Sequence, residues 1–200
     1  LGSGKKVQIA CLPGFDRGYY RAQHPGLSKE EENEVFTKAI ADMIIGLKAQ
    51  CIPDIPAVLV SHYTITGCNM ESGQTAFLSQ FEPVVYPDTL AAADFDLICF
   101  GHIHRPQKIE GCRNTYYCGA VSALNFNDEG QERGYWIHDI GEGTEKSNFR
   151  SLPTRQFLTI RLKDEDVVSA NSGSYENLTF NPFEVQEKIV RVLYDCTDEH

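Results

Sequence analysis

The feature that most constrains this chain is a set of short apolar runs, each of strand length and each closed by a turn or a histidine. They cover residues 7–12, 57–60 and 95–100, and residues 114–119 and 135–140 continue the pattern. Apolar runs of this length, bounded by Pro, Gly and polar residues, are typical of buried strands. Because helical segments alternate with them, the sequence predicts an α/β fold.

The first predicted helix begins at Ser28. Glu31 lies three residues later, which is the spacing of a capping box, and acidic residues 30–32 favour the positive end of the helix dipole. Apolar residues at helical spacing then predict one buried face and an end near Gln50. We interpret that face as core packing; it comprises Phe36, Ile40, Met43, Ile44 and Leu47. Asp88 is predicted to cap a second, short helix over residues 89–93.

The pattern changes near residue 151, which predicts a first domain over residues 1–150 and a second over 151–200. Residues 155–162 alternate in polarity like an antiparallel strand, and residues 188–194 form another strand candidate. We expect this second part to be a small α+β element.

The amino-acid composition argues against several classes of protein for this chain. With 200 residues, 42% of them hydrophobic and 23% charged, the chain can build a core and is not disordered. Its net charge of −10 argues against a non-specific nucleic-acid binder, although a bound metal can supply positive charge locally. No apolar run approaches the roughly 20 residues of a membrane span, and no signal-peptide layout is present. We expect no membrane association.

The seven cysteines are odd in number and contain no C-x-x-C spacing. This pattern fits neither a disulfide framework nor a zinc ribbon, and it favours a reducing cytoplasm. Cys11, Cys99 and Cys118 lie in apolar runs, so we predict that they are buried free thiols.

Three histidines follow predicted strands: His62 after residues 57–60, and His102 and His104 after residues 95–100. Carboxyl ends of strands form the ligand-binding edge of open α/β sheets. If the chain is extended beyond Gly101, the side chains of His102 and His104 point to the same side. Imidazole binds Mn, Fe, Zn or Ni, so the three together predict a metal site. Taken alone, His62 fits a structural role better, and the pair of His102 and His104 fits either role. We interpret the remaining histidines as bystanders: His24, His138 and His200.

The segment AVLVSH at 57–62, followed by DLICFGHIHRPQ at 96–107, resembles the last two motifs of the calcineurin-like metallophosphoesterases. Within that superfamily the chain is most similar to SbcD-type DNA repair exonucleases. The segments at 9–13, 67–73 and 117–126, with Gly134, also match in position. The resemblance covers roughly residues 5–140 and implies part of a layered α/β metallophosphoesterase sandwich, followed by the start of a capping domain.

The resemblance further implies two divalent metal ions, most often Mn²⁺, with Mg²⁺, Fe²⁺ or Zn²⁺ as alternatives. His62 and His102 would bind one ion and His104 the other. The implied reaction is hydrolysis of DNA phosphodiesters in repair and recombination, with an SbcC-like ATPase subunit as partner. A homodimer is a further expectation, because exposed strand edges favour pairing with another chain.

The first three motifs of that superfamily are Asp-x-His, Gly-Asp-x-x-Asp and Gly-Asn-His-Asp/Glu, and none of them precedes His62 in this chain. They carry the bridging carboxylate and the histidine that protonates the leaving group. We therefore expect this chain to be the C-terminal part of a longer nuclease domain, with that catalytic histidine upstream of Leu1. Alone, it should be inactive and bind at most one metal loosely. Gly119-Ala120 also departs from the usual Gly-Ser.

Other residues have two interpretations. Arg105 fits a phosphate contact or an ordinary surface arginine, and Gly119 is a candidate substrate contact. The run containing Arg17, Tyr19, Tyr20 and Arg21 mixes basic and aromatic side chains as single-strand binders do, but an ordinary loop is the simpler interpretation. Ser61 lacks a Gly-x-Ser-x-Gly setting, which argues against a serine hydrolase.

Two other functions stay open on the sequence alone. One is a phosphoesterase that acts on small phosphodiesters, nucleotides or phosphoproteins. The other is a non-catalytic interaction module that has kept the histidines without the carboxylates.

Overall fold

The computed structural model describes residues 5–14, 18, 21–22, 24–70, 82–140, 146–164, 166, 178 and 180–194. Its centre is a five-stranded sheet with the order β1-β2-β5-β7-β6. The first four strands are parallel, and the edge strand β6 runs antiparallel to β7. These strands are β1 (Gln8–Leu12), β2 (Ala57–Ser61), β5 (Leu97–Phe100), β6 (Gln107–Lys108) and β7 (Thr115–Tyr117).

The remaining described strands form three separate two-stranded sheets. They are β3 (Thr64–Ile65) with β4 (Val84–Val85), β8 (Gly134–Asp139) with β9 (Lys146–Ser151), and β10 (Phe157–Leu162) with β11 (Ile189–Tyr194). The mixed α/β class is as predicted, and the mostly parallel central sheet is compatible with it. The sequence patterns did not indicate β3, β4, β6 or β9, most of which are only two residues long.

Helix α1 (Lys29–Ala49) has the predicted capping box. Ser28 Oγ accepts a hydrogen bond from the Glu31 backbone N–H, and the Glu31 carboxylate accepts one from the Ser28 backbone N–H at 2.8 Å. These hydrogen bonds also lower the pKa of the Glu31 carboxyl group. Helix α1 buries Phe36, Ile40 and Ile44, so the predicted apolar face is confirmed.

Helix α2 (Pro87–Ala93) corrects the predicted cap. Its N-cap is Tyr86, which makes no side-chain capping bond, and Asp88 lies inside the first turn. Pro87 explains the shift, because its fixed φ and missing N–H suit the first helical position. Asp94 ends the helix in a left-handed conformation with φ of 49°.

The main core lies between the helices and one face of the sheet. It joins Ile40 and Ile44 of α1 and Leu90 of α2 to sheet residues such as Leu59 and Phe100. On the other face, Val58, Leu97 and Tyr116 form a smaller cluster against which Trp136 of β8 packs. Ile9 and Val60 stay largely exposed, at 61% and 41%. A complete layered sandwich therefore remains an expectation for this face of the sheet.

Strands β10 and β11 correct a second prediction. Residues 157–162 were expected in an antiparallel strand, but they pair in parallel with residues 189–194. A chain of 26 residues separates the two strands, long enough for the second to return in the same direction, as a tight hairpin is not. The domain boundary near residue 151 stays a prediction. None of the described helices is long and apolar enough to cross a membrane.

Candidate functional site

The carboxyl ends of the four parallel strands lie at one edge of the sheet. Pro13 follows β1, His62 follows β2, Gly101 follows β5 and Cys118 follows β7. The register of neighbouring strands pairs Leu12 with Ser61, so the site-bearing loops begin at the same level. This edge is where open α/β sheets bind ligands.

His62 and His102 meet at this edge. Their ring centroids are 5.4 Å apart and the ring planes cross at 71°. Gly101 makes this approach possible, because a Cβ there would lie 2.6 Å from Nδ1 of His62.

The backbone at His102 is not extended. Its φ is +84°, a left-handed conformation that residues other than glycine rarely adopt. The argument that His102 and His104 share one side as residues i and i+2 of an extended chain is therefore wrong. The chain turns sharply after β5, and the two imidazoles face different carboxylates. Strain of this kind is often found at functional sites.

His102 faces Glu82, with 3.1 Å between Nε2 of the imidazole and Oε2 of the carboxylate. Burial lowers the pKa of His102; Glu82 opposes that shift, and the neighbouring His62 and His104 reinforce it. The ring is thus favoured in its neutral form, which is the form that binds metals. Glu82, His62 and His102 line one cavity of about 350 Å³.

His104 lies next to a buried ion pair that Asp128 and Arg133 form. Its Nδ1 lies 3.5 Å from Oδ1 of Asp128, and Nη2 of Arg133 lies 2.7 Å from the same oxygen. Asp128 and Arg133 are almost fully buried, at 0% and 1% exposed. The Asp128 carboxylate also accepts the Leu124 N–H at 2.8 Å, and Arg133 Nη1 donates to the His104 carbonyl. A carboxylate on the Nδ1 side leaves Nε2 of His104 to face a ligand.

Gly119 has a packing role. Its φ is +75°, and a Cβ there would lie 2.8 Å from the Pro106 nitrogen and 3.0 Å from the His104 carbonyl oxygen. Ala120 N–H donates to that same carbonyl at 2.9 Å. The segment after β7 thus packs against the loop that carries His104. The contact of Gly119 with substrate stays a prediction.

Arg105 lines a groove of about 540 Å³ next to His104. Trp136 and Phe149 form its aromatic part, with ring centroids 5.3 Å apart. The Trp136 indole N–H donates to the Tyr117 carbonyl, which fixes the ring. A phosphate contact by Arg105 stays a prediction.

The candidate single-strand surface lies only partly within the described residues. Arg21 makes a two-pronged ion pair with the largely buried Glu32, at 2.7 Å for each contact, and this pairing raises the pKa of Arg21. Arg21 is thus structural, in keeping with the interpretation as an ordinary loop. Residues Arg17, Tyr19 and Tyr20 lie outside the described residues, as do His200 and Cys196. Ser61 is buried and donates to the Leu12 carbonyl.

The imidazole and carboxylate groups at this edge of the sheet suit a divalent metal in chemical type. Within the described residues they do not complete the coordination of such an ion. Within the described part of the chain, no three or more His, Cys, Asp or Glu side chains are arranged to hold a metal ion. Three features fit such a site: the paired imidazoles, the buried carboxylate behind His104, and Thr64 Oγ1, which lies buried in the cavity wall without a hydrogen-bond partner. They fit such a site in chemical type.

Sequence reasoning missed Glu82, Asp128 and Arg133. Each meets its histidine through a contact that is distant in sequence, and no local motif marks any of them. The polar loop over residues 125–134 contains four charged residues, and nothing in the sequence singles out Asp128 and Arg133 among them.

No protein-family model matches the chain. The chain is similar to the SbcD subunit of nuclease SbcCD from Rhodobacter capsulatus, with 27% identity over 145 residues. The matched region covers 69% of this chain and 34% of that protein, so the chain spans about a third of the length of the curated relative it matches. This similarity indicates a distant SbcD-like relationship.

Proposed function

We propose that this chain carries part of the active site of a metal-dependent nuclease that hydrolyses DNA phosphodiesters. The observation that carries the proposal is the contact of His62 with His102 at neighbouring strand ends, across a position where only glycine fits. The similarity to a component of the SbcCD nuclease supports the same reaction class.

In this proposal His62 and His102 bind one divalent ion and His104 binds a second. Mn²⁺ is the preferred candidate, with Mg²⁺, Fe²⁺ and Zn²⁺ as alternatives. When bound, such a pair of ions activates water and stabilises both the attacking and the leaving oxygen of the phosphodiester. Imidazoles alone do not bridge two ions, so the carboxylate ligands and the leaving-group acid must come from residues other than these three.

The residues around the histidines have positioning roles. Asp128 lies 3.5 Å from Nδ1 of His104, so its charge favours the tautomer with the proton on that nitrogen. Arg133 neutralises Asp128 and ties it to the His104 backbone. Glu82 acts in the same way on His102, or joins the metal ligands once the ion is bound.

The groove beside His104 is the proposed path of the DNA strand. Arg105 is placed to meet a phosphate, and Trp136 and Phe149 offer apolar surface to a base or sugar. Because the chain carries a net charge of −10, we propose that an SbcC-like ATPase subunit supplies most of the affinity for DNA. A homodimer is part of the same proposal.

A nuclease assay with Mn²⁺ tests the proposal. We expect this chain to leave a radiolabelled DNA duplex intact, and an extended form that also carries a bridging carboxylate and a leaving-group histidine to degrade it. Degradation by the extended form should be lost in His62→Ala and His104→Ala and kept in His24→Ala, a histidine outside the site. Activity in the short form would refute the proposal that it holds only part of the site. An extended form that cleaves only small phosphodiesters would favour a phosphoesterase, and one with no activity would favour an interaction module.

A further inference from the structure

The buried hydroxyl of Tyr117 binds the chain directly after His62. Tyr117 is the last residue of β7 and is 0% exposed. Its hydroxyl oxygen accepts a hydrogen bond from the Ile65 N–H at 2.6 Å, and the hydroxyl donates one to the Tyr63 carbonyl at 3.0 Å. One side-chain group therefore satisfies two backbone groups of a neighbouring stretch. We call residues 63–65 the anchored segment.

Hydrogen bonds to the end of β1 hold both sequence neighbours of His62. On one side, the Tyr63 hydroxyl donates to the Pro13 carbonyl at 2.9 Å. On the other side, the Ser61 hydroxyl donates to the Leu12 carbonyl at 3.1 Å. These contacts restrict the backbone before and after the imidazole.

The anchored segment also lies beside the carboxylate that faces His102. Thr64 of β3 pairs with Val84 of β4, and Glu82 precedes Val84 by two residues. Thr64 and Glu82 line the same cavity of about 350 Å³ as His102. A displacement of the anchored segment would therefore change the positions of both groups that contact His102, which are the His62 imidazole and the Glu82 carboxylate.

The residues on either side of Tyr117 face elsewhere. Tyr116 lies in the smaller cluster on the other face of the sheet, whereas Tyr117 belongs to the main core together with the anchored segment. Cys118 is exposed, as is Cys11 of β1, so the prediction that these two thiols are buried is wrong. Burial raises the pKa of the Tyr117 hydroxyl well above its usual range, so this group keeps its proton and donates a hydrogen bond.

We propose that Tyr117 is a positioning residue for the pair of His62 and His102. Its hydroxyl holds the anchored segment in place, and this keeps the two imidazoles in contact. The inference rests on the proposed function for the role of these imidazoles as metal ligands. Loss of the hydroxyl removes the partner of the Ile65 N–H and of the Tyr63 carbonyl. Because buried backbone groups without a partner are costly, the segment should then rearrange.

Two measurements on the whole chain test this proposal in Tyr117→Phe, which removes the hydroxyl and keeps the ring. In the metal-free chain, we expect a nuclear Overhauser effect between the rings of His62 and His102, whose centroids are 5.4 Å apart. This effect should be lost in Tyr117→Phe. The affinity for Mn²⁺, measured from the paramagnetic resonance signal of the free ion, should fall about tenfold in the same variant.

Two control variants separate positioning from a general loss of stability. Tyr116→Phe removes a hydroxyl from the preceding residue, on the other face of the sheet. Ile44→Val shortens a buried side chain of α1, and it should lower the melting temperature as Tyr117→Phe does. Neither control should change the Overhauser effect or the Mn²⁺ affinity.

The two measurements also distinguish this proposal from the proposed function. If the Overhauser effect is absent from the unchanged chain, survives in Tyr117→Phe, or is lost equally in Ile44→Val, the positioning role is overturned whatever the metal affinity. If the unchanged chain shows the effect, Tyr117→Phe loses it, and no Mn²⁺ binds, the positioning role stands and the metal-binding role of the imidazoles is refuted.

A second variant keeps the test decisive if Tyr117→Phe does not fold. Tyr63→Phe removes the hydrogen bond between the anchored segment and Pro13, and it leaves Tyr117 intact. We expect it to weaken the Overhauser effect between His62 and His102. An unchanged effect in Tyr63→Phe would overturn the claim that the anchored segment sets the position of His62.

Discussion

Gly101 has no side chain, and this allows the imidazole of His62 to lie against its backbone. A Cβ at this position would lie 2.6 Å from His62 Nδ1, so Gly101→Ala must displace that imidazole. We expect Gly101→Ala to weaken Mn²⁺ binding about tenfold or more, measured by titration calorimetry. Gly46 is the matched control, because nothing lies within 4 Å of a Cβ there. Gly46→Ala should keep metal affinity and stabilise α1 by about 0.5–1 kcal/mol; equal affinities in the two variants would contradict the role of Gly101.

Asp128 stabilises the loop next to His104 by its charge. Asp128→Asn leaves Arg133 buried without a counter-ion, and we expect it to lower the free energy of unfolding by about 3–5 kcal/mol. Urea denaturation measures this loss. Asp42→Asn breaks the exposed Lys38–Asp42 pair of α1 and should cost less than about 0.5 kcal/mol. Similar losses in both variants would mean that the buried pair contributes no more than a surface one.

Individual site residues could be predicted only where the signal is local. His62, His102 and His104 could be named as candidates because each follows an apolar strand, and their role as metal ligands stays a prediction. Glu82, Asp128 and Arg133 were not, since their partners are set by long-range packing. The left-handed backbone of His102 was also missed, because the residue type gives no indication of a positive φ.

At the scale of elements, α1 depends on its first turn. Ser28→Ala removes the side-chain acceptor of the capping box and should lower the free energy of unfolding by about 1 kcal/mol. Thermal unfolding followed by circular dichroism checks the change. Ser122→Ala, at an exposed loop position, should leave the melting temperature unchanged. If Ser28→Ala also left it unchanged, the capping bonds would not contribute to stability.

Some helices and strands could be predicted from the sequence, and others could not. Helix α1 and the strands β1, β2 and β5 were predicted, because their capping and apolar patterns are complete within the segment. The direction of β10 relative to β11 was not, since it depends on how the intervening chain returns. The two-residue strands are defined by pairing alone and have no pattern of their own.

At the scale of the whole molecule, Trp136 reports on the groove because it is the chain's single tryptophan. Its emission should change when a single-stranded oligonucleotide binds at low salt in the presence of EDTA. Arg105→Gln should weaken that binding and reduce its salt dependence by about one counter-ion. Arg155→Gln, an exposed arginine outside the groove, is the control. Equal binding by both variants would exclude Arg105 as a phosphate contact.

We propose that His62, His102 and His104 are metal ligands, and pulsed electron paramagnetic resonance of bound Mn²⁺ is the sharpest test of that role. This measurement detects nitrogen ligands through their coupling to the metal. We expect weak Mn²⁺ binding with imidazole nitrogen coupling, which is lost in the triple variant His62→Ala/His102→Ala/His104→Ala and kept in His24→Ala. Bound Mn²⁺ without nitrogen coupling, or coupling that survives the triple variant, would contradict that role.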